Sequence, residues 1–144
     1  MLKLKNDIIQ YPDQMYETRD EGSRYSADNI LDIVFDVFPE INSVIDIGCG
    51  VGTWLKAAKD KGVKDILGID GKWVKKKYLS IDKKYFLDLN LEDKITINKK
   101  YDLAITLELA EHLSPKRAKS FVRDLIKLSD IVLFSAAIPF QQGL

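Results

Sequence analysis

Apolar residues recur along this chain in two rhythms, and their alternation predicts its architecture. Ile30, Ile33, Val34, Val37 and Phe38 return at helical spacing, with Ser26 or Asp28 as the expected N-cap and Pro39 near the stop. "SVIDIG" (43–48) is short and nearly all apolar, which suits a strand buried on both faces of a parallel sheet. Residues 51–61 read as a helix ended by Gly62. "DILGID" (65–70), "KYFLDL" (84–89), "YDLAITLE" (101–108) and "DIVLFSAA" (130–137) follow as four further strands. Between the last two, Ser114 and Pro115 are placed as N-cap and first residue of an amphipathic helix, its apolar face formed by Ala118, Phe121, Val122, Leu125 and Ile126. Residues 1–25 are polar, with "YETRDEGSRY" as an irregular or weakly helical lead-in, so the expected division is 1–25 and a folded domain over 26–144.

Strands alternating with helices imply right-handed crossovers and an α/β fold: a doubly wound, mostly parallel sheet of about five strands with helices on both faces. In such a sheet ligands bind beyond the carboxyl ends of the strands, at the point where strand order reverses. The unusual residues fall at those ends. Asp46 and the glycines close the first strand, Asp70 the second, Asp88 the third and Glu108 the fourth.

Composition narrows this picture only a little. The 144 residues, 46% hydrophobic and 31% charged, fit one globular domain. Lys+Arg and Asp+Glu both number 22, so the charge balance points to neither nucleic acid nor an acidic substrate. The single cysteine excludes an internal disulfide and a multi-cysteine zinc site. No apolar run reaches the length of a membrane span, and the polar N-terminus lacks the apolar stretch of a signal peptide, so a cytoplasmic location is expected.

The chemistry concentrates in "DIGCGVGTW" (46–54). Glycine leaves bare backbone against which a ligand can lie, and the following helix offers free N–H groups to an electronegative atom. Asp70, some 20 residues downstream, suits a pair of ribose hydroxyls because a carboxylate accepts two hydrogen bonds. Spacing then separates two cofactor classes. The dinucleotide fingerprint needs its third glycine at position 53, where this chain has Thr, with the glycine at 52. Asp46 would also oppose a pyrophosphate while favouring a ligand that carries positive charge. Together these features disfavour an NAD-linked oxidoreductase.

The loop resembles the first motif, D-x-G-x-G-x-G, of the class I S-adenosylmethionine-dependent methyltransferases, and "YDLAITLELAEHLSP" (101–115) is similar to the fourth-strand motif of their small-molecule branch. The resemblance runs from about Ile30 to the C-terminus and implies a Rossmann-like fold. It implies S-adenosylmethionine as cofactor and a small-molecule or metabolite-like acceptor. Asp46, Gly48 and Gly50 would line the methionine end, and Asp70 would take the ribose hydroxyls with Gly71 to Trp73 flanking the adenine. Asp88 would accept from the exocyclic amine while the Leu89 N–H meets a ring nitrogen. Leu107 and Glu108 would close the pocket beside the methyl group. Glu108, Glu111 and His112 are the candidate catalytic bases. Methyl transfer is an in-line displacement from a sulfonium, in which the protein supplies alignment and removes a substrate proton where needed; it requires no metal.

Other features have plainer readings. Cys49 is expected as a small buried filler despite its place beside a helix start. "KWVKKKYLSIDKK" (72–84) reads as a solvated connection and not a nucleic-acid contact. The family's full fold has seven strands, and this chain stops just after the fifth, so a shortened descendant of a longer ancestor is expected. Ile131 to Phe134 would then form an exposed apolar edge, open to homo-oligomer formation by strand pairing. A degenerate, non-catalytic cofactor-binding scaffold is the alternative to an enzyme.

Overall fold

A computed structural model describes residues 13–138, with side chains from Asp20 onward. The chain forms α1 (Asp13–Val37), β1 (Ser43–Ile47), α2 (Thr53–Asp60), β2 (Asp65–Asp70), β3 (Phe86–Asp88), β4 (Leu103–Leu107), α3 (Ala118–Leu128) and β5 (Val132–Ser135). The strands make one parallel sheet in the order β3-β2-β1-β4-β5. From β1 the chain steps outward through β2 to β3, then returns to the other side of β1 for β4 and β5. Right-handed crossovers in opposite directions put α2 on one face and α3 on the other. The order reverses between β1 and β4, and a crevice opens there at the strands' carboxyl ends.

Period-two alternation divides the core between the two faces. Val44, Leu103 and Ile105 join Leu31 of α1 and Leu55 of α2 in one layer. Ile45, Ile47 and Ile69 join Phe121 and Leu125 of α3 in the other. The expected α/β class, parallel sheet and five strands are all present.

The helices depart from expectation. α1 begins at Asp13, so Ser26 and Asp28 lie inside it and cap nothing. From Asp20 onward its polar residues line an outer face: Arg24 pairs with Asp28 at 3.0 Å along the helix and with Asp60 of α2 at 2.9 Å. Its inward face is Ala27, Leu31, Val34 and Phe35, with Phe38 packed beside them just past its end, while Ile30, Ile33 and Val37 are exposed. α3 is entered through a 3-10 turn, Pro115–Arg117, and Ser114 makes no side-chain cap. Its buried face carries Phe121, Asp124, Leu125 and Leu128; Val122 and Ile126 point to solvent.

Two connections lack an α-helix. Residues 71–85 hold two 3-10 turns, and 89–102 contain no regular element. At the sheet edge β5 is only partly covered, with Phe134 exposed. Among the described residues no helix is long and apolar enough to cross a membrane.

Candidate functional site

The glycine loop after β1 is pinned by backbone and side-chain bonds to the end of β2. Gly48 N and Cys49 N both donate to the Ile69 carbonyl oxygen, at 2.8 and 3.1 Å. Gly50 N donates to Asp70 Oδ2 at 2.7 Å and Gly71 N to Asp70 Oδ1 at 2.7 Å. The Trp73 indole hydrogen-bonds the same carboxylate. Asp70 is therefore a clamp as well as an acceptor: it holds the loop closed through Gly50 N, and with three donors already on it, about one of a carboxylate's roughly four acceptor sites remains for a further donor. Burial raises its pKa, and the two backbone N–H bonds and Trp73 oppose that rise.

Gly50 marks where a ligand can approach. Its φ is +53°, a left-handed conformation that side chains rarely adopt, and a Cβ there would meet nothing within 4 Å. Bare backbone thus faces open space where α2 begins. Gly71 is constrained differently, since a Cβ would lie 2.0 Å from the Trp73 ring that covers it.

Asp46 lies beneath this loop, 3% exposed. No hydrogen bond from the described residues reaches its carboxylate. Burial first, and the neighbouring Asp70 charge second, push its pKa up to about 8. A buried, unpartnered carboxylate is costly unless something compensates it. Cys49 needs no ligand to explain it. Its sulfur fills the space over Gly68, where a Cβ would lie 2.7 Å away, and burial pushes the thiol far above its ordinary range.

Asp88, half-buried, stands opposite Asp70 in the β2–β3 register. The Leu89 N–H, which the resemblance pairs with a ring nitrogen, instead donates to the Asp70 carbonyl oxygen at 3.0 Å. It completes the ladder between β2 and β3, which leaves the Asp88 carboxylate as the open group at that strand end.

Across the crevice, Leu107 is half-buried at the end of β4 and Glu108 follows, exposed. Glu108 is the only residue other than glycine with positive φ among those described, at +52°. Such a conformation costs about 1–2 kcal/mol and persists where surrounding structure enforces it. Ser135, at the end of β5, supplies that structure. Glu108 N donates to its carbonyl oxygen at 3.0 Å, and Ser135 Oγ donates to Glu108 Oε1 at 2.8 Å. Glu111 and His112 are exposed on the 3-10 turn Ala110–His112. Glu108, Glu111 and His112 share this one loop, and no described bond joins their side chains.

The carboxyl ends of the strands thus gather Asp46, Gly48, Gly50, Asp70, Gly71 and Asp88 on one side and Leu107 to His112 on the other. A groove lined by Glu40, Lys100, Asp102 and Asp130 opens at the opposite, amino end of the sheet and holds none of them. Ser135 was not legible as part of the site, although its place at the end of a strand is the signal that marks the other site residues.

With this geometry in place, comparison with known proteins identifies the class. A family model described as a methyltransferase domain matches residues 16–130, and the chain belongs to that family. No curated protein matches it by sequence. Among solved structures it is similar to Streptomyces venezuelae DesVI, with a TM-score of 0.62 and 18% identity over 82% of this chain and 51% of that one. CalS10, an amino pentose methyltransferase from Micromonospora echinaspora solved with S-adenosylmethionine bound, gives 0.63 at 13% identity over 84% and 53%. The plantazolicin methyltransferase BpumL, solved with S-adenosylhomocysteine, gives 0.62 at 18% identity over 85% and 51%. The chain spans about half the length of these structures.

Proposed function

We propose that this domain binds S-adenosylmethionine and serves methyl transfer to a small-molecule acceptor. The observation that carries the reading is the pairing of Asp46, buried and without a hydrogen bond to its carboxylate among the described residues, with the open backbone at Gly50. A cationic amine seated there would hold the Asp46 carboxylate ionised, whereas a pyrophosphate would face two acidic side chains. The bound cofactor supplies an electrophilic methyl group on a sulfonium. The chain's residues do the rest. Asp70 accepts from a ribose hydroxyl through its remaining acceptor site while keeping the loop closed, Asp88 accepts from the adenine amine, and Trp73 flanks the purine. Leu107 and Glu108 wall the side from which the acceptor approaches, and Glu108, Glu111 and His112 are the groups placed to receive an acceptor proton.

Calorimetric titration with S-adenosylhomocysteine, with NAD as control, tests this reading. Binding of the first and not the second is the expected result; binding of NAD alone would replace it with a dinucleotide-dependent activity.

A further inference from the structure

The crossover from β3 to β4 carries the purine side of the proposed site, yet it has no helix to hold it. Its internal bonds are few: Asp93 N to Asn90 O at 3.0 Å, and Glu92 N to Asn90 Oδ1 at 3.2 Å. Its position is set from outside, by polar groups on α3 and on the segment leading into it. Arg117 Nε donates to the Leu91 carbonyl oxygen at 3.0 Å, and Arg117 Nη2 to Asp124 Oδ2 at 2.6 Å. Ile95 N donates to the same Asp124 oxygen at 3.0 Å, so the ion pair grips the loop at two backbone groups. Both side chains are 3% exposed. The Glu92 carboxylate adds a third fastening, accepting from Ser114 N at 2.7 Å and Ser114 Oγ at 2.8 Å.

A buried ion pair is a poor device for stability alone, because desolvating both charges offsets much of their attraction and an apolar pair would often serve as well. What this pair adds is direction. The planar guanidinium fixes a carbonyl and, through Asp124, an N–H, only a few residues after Asp88.

On the cofactor reading above, we propose that Arg117, with Asp124, is a positioning residue of the purine pocket: it holds residues 89–95 so that Asp88 meets the exocyclic amine of adenine. The pair sets which base is accepted, not whether the methionine end binds. The glycine loop serves that end, and it is fastened to Ile69 and Asp70 by bonds that Arg117 does not touch.

The test compares S-adenosylhomocysteine with S-inosylhomocysteine, which carries an oxo group in place of the amine, in calorimetric titrations of the parent chain and two variants. Arg117→Met combined with Asp124→Leu replaces the pair by apolar bulk. Arg117→Lys keeps the charge but removes the Nε–H that reaches Leu91, and it provides the reading if the double variant fails to fold. Circular dichroism and the thermal midpoint report folding. The parent should prefer the adenine form by about tenfold or more, as expected for a hydrogen bond to a charged acceptor. Each folded variant should lose most of that preference through weaker adenine binding, with the inosine form affected little.

An unchanged preference in folded variants would overturn the assignment alone, as would equal weakening of both ligands, which marks a merely structural role. A parent chain that binds both ligands equally would remove Asp88 as the purine reader, and this inference with it. A parent that binds neither would overturn the cofactor reading itself.

Discussion

The two sides of the crevice are built to different standards. At the ends of β1 and β2, the loop is held by three bonds to Ile69 and Asp70, and the carboxylates of Asp46 and Asp70 are buried. At the ends of β4 and β5, the acidic and imidazole side chains stand exposed, and Glu108 alone is fastened, to Ser135. The first side is complete in itself because β1 and β2 are neighbours and each supplies the other's partners. The second side has a chain neighbour on one flank only, since β5 is the sheet edge among the described residues. On the proposed reading, rigidity suits a cofactor that is the same compound in every turnover, and exposure suits the side from which an acceptor would enter.

Substitutions that break this contrast should act most strongly on the rigid side. Gly50→Val should abolish S-adenosylhomocysteine binding in calorimetry, because its side chain would occupy the open space over the loop. It should also cost about 1–2 kcal/mol of stability from the left-handed backbone. Full binding by that variant would refute the close approach.

Asp70→Ala should weaken the same ligand by about 1.5–3 kcal/mol, the range for hydrogen bonds to a charged acceptor. It should also lower the thermal midpoint, since Gly50 and Gly71 lose their shared acceptor. Loss of affinity without loss of stability would reduce Asp70 to a ligand contact only.

Asp46 sharpens the comparison through pH. Its carboxyl titrates near 8 in the fold against an ordinary value of 3.8, chiefly through burial. Between those values the folded chain keeps a proton that the unfolded chain has released, so raising the pH favours unfolding. Stability of the free protein should therefore decline from about pH 4 to about pH 8, and the raised pKa of Asp70 acts in the same direction. Affinity for the aminated cofactor product should rise over the upper part of that window as Asp46 ionises. Asp46→Asn should flatten both trends; unchanged slopes in thermal melts would show that Asp46 does not titrate there.

The open side should respond least. Glu111→Gln and His112→Ala should leave cofactor affinity and melting temperature within about 0.5 kcal/mol of the parent, as exposed positions generally do. A large effect on cofactor binding would move this turn into the rigid half. Their expected effect is on turnover of the acceptor, measured as methyl transfer.

Much of this was readable from residue order. The strand DILGID occupies the predicted residues 65–70, and the other four lie inside their predicted runs. For β1, β2 and β4 the reason is that an apolar run buried on both faces announces a central parallel strand. That Asp46, the glycines, Asp70 and Asp88 would gather at the strands' carboxyl ends was legible too, since they close successive strands of a parallel sheet. The helix faces were harder. α1 and α3 each carry apolar residues on two faces, so a period of 3.6 admits more than one inward stripe, and only packing against the sheet selects Leu31 over Ile33 and Leu128 over Ile126.

The sequence by itself determined the five strands, the α/β class and the run of glycines and carboxylates at the strand ends, because these depend on local periodicity and on residue types with narrow uses. The strand order β3-β2-β1-β4-β5 came only with the fold. Tertiary structure alone decided the partnerships. Asp70 as the clamp on the glycine loop, Ser135 as the hold on Glu108, and Arg117 with Asp124 as the fastening of the β3–β4 crossover all join groups far apart in the chain. Arg117 shares the helical spacing of Phe121, Leu125 and Leu128, yet nothing in that spacing says that a charge will be buried there. A buried charge is tolerated only where its partners converge on it, and convergence belongs to three dimensions.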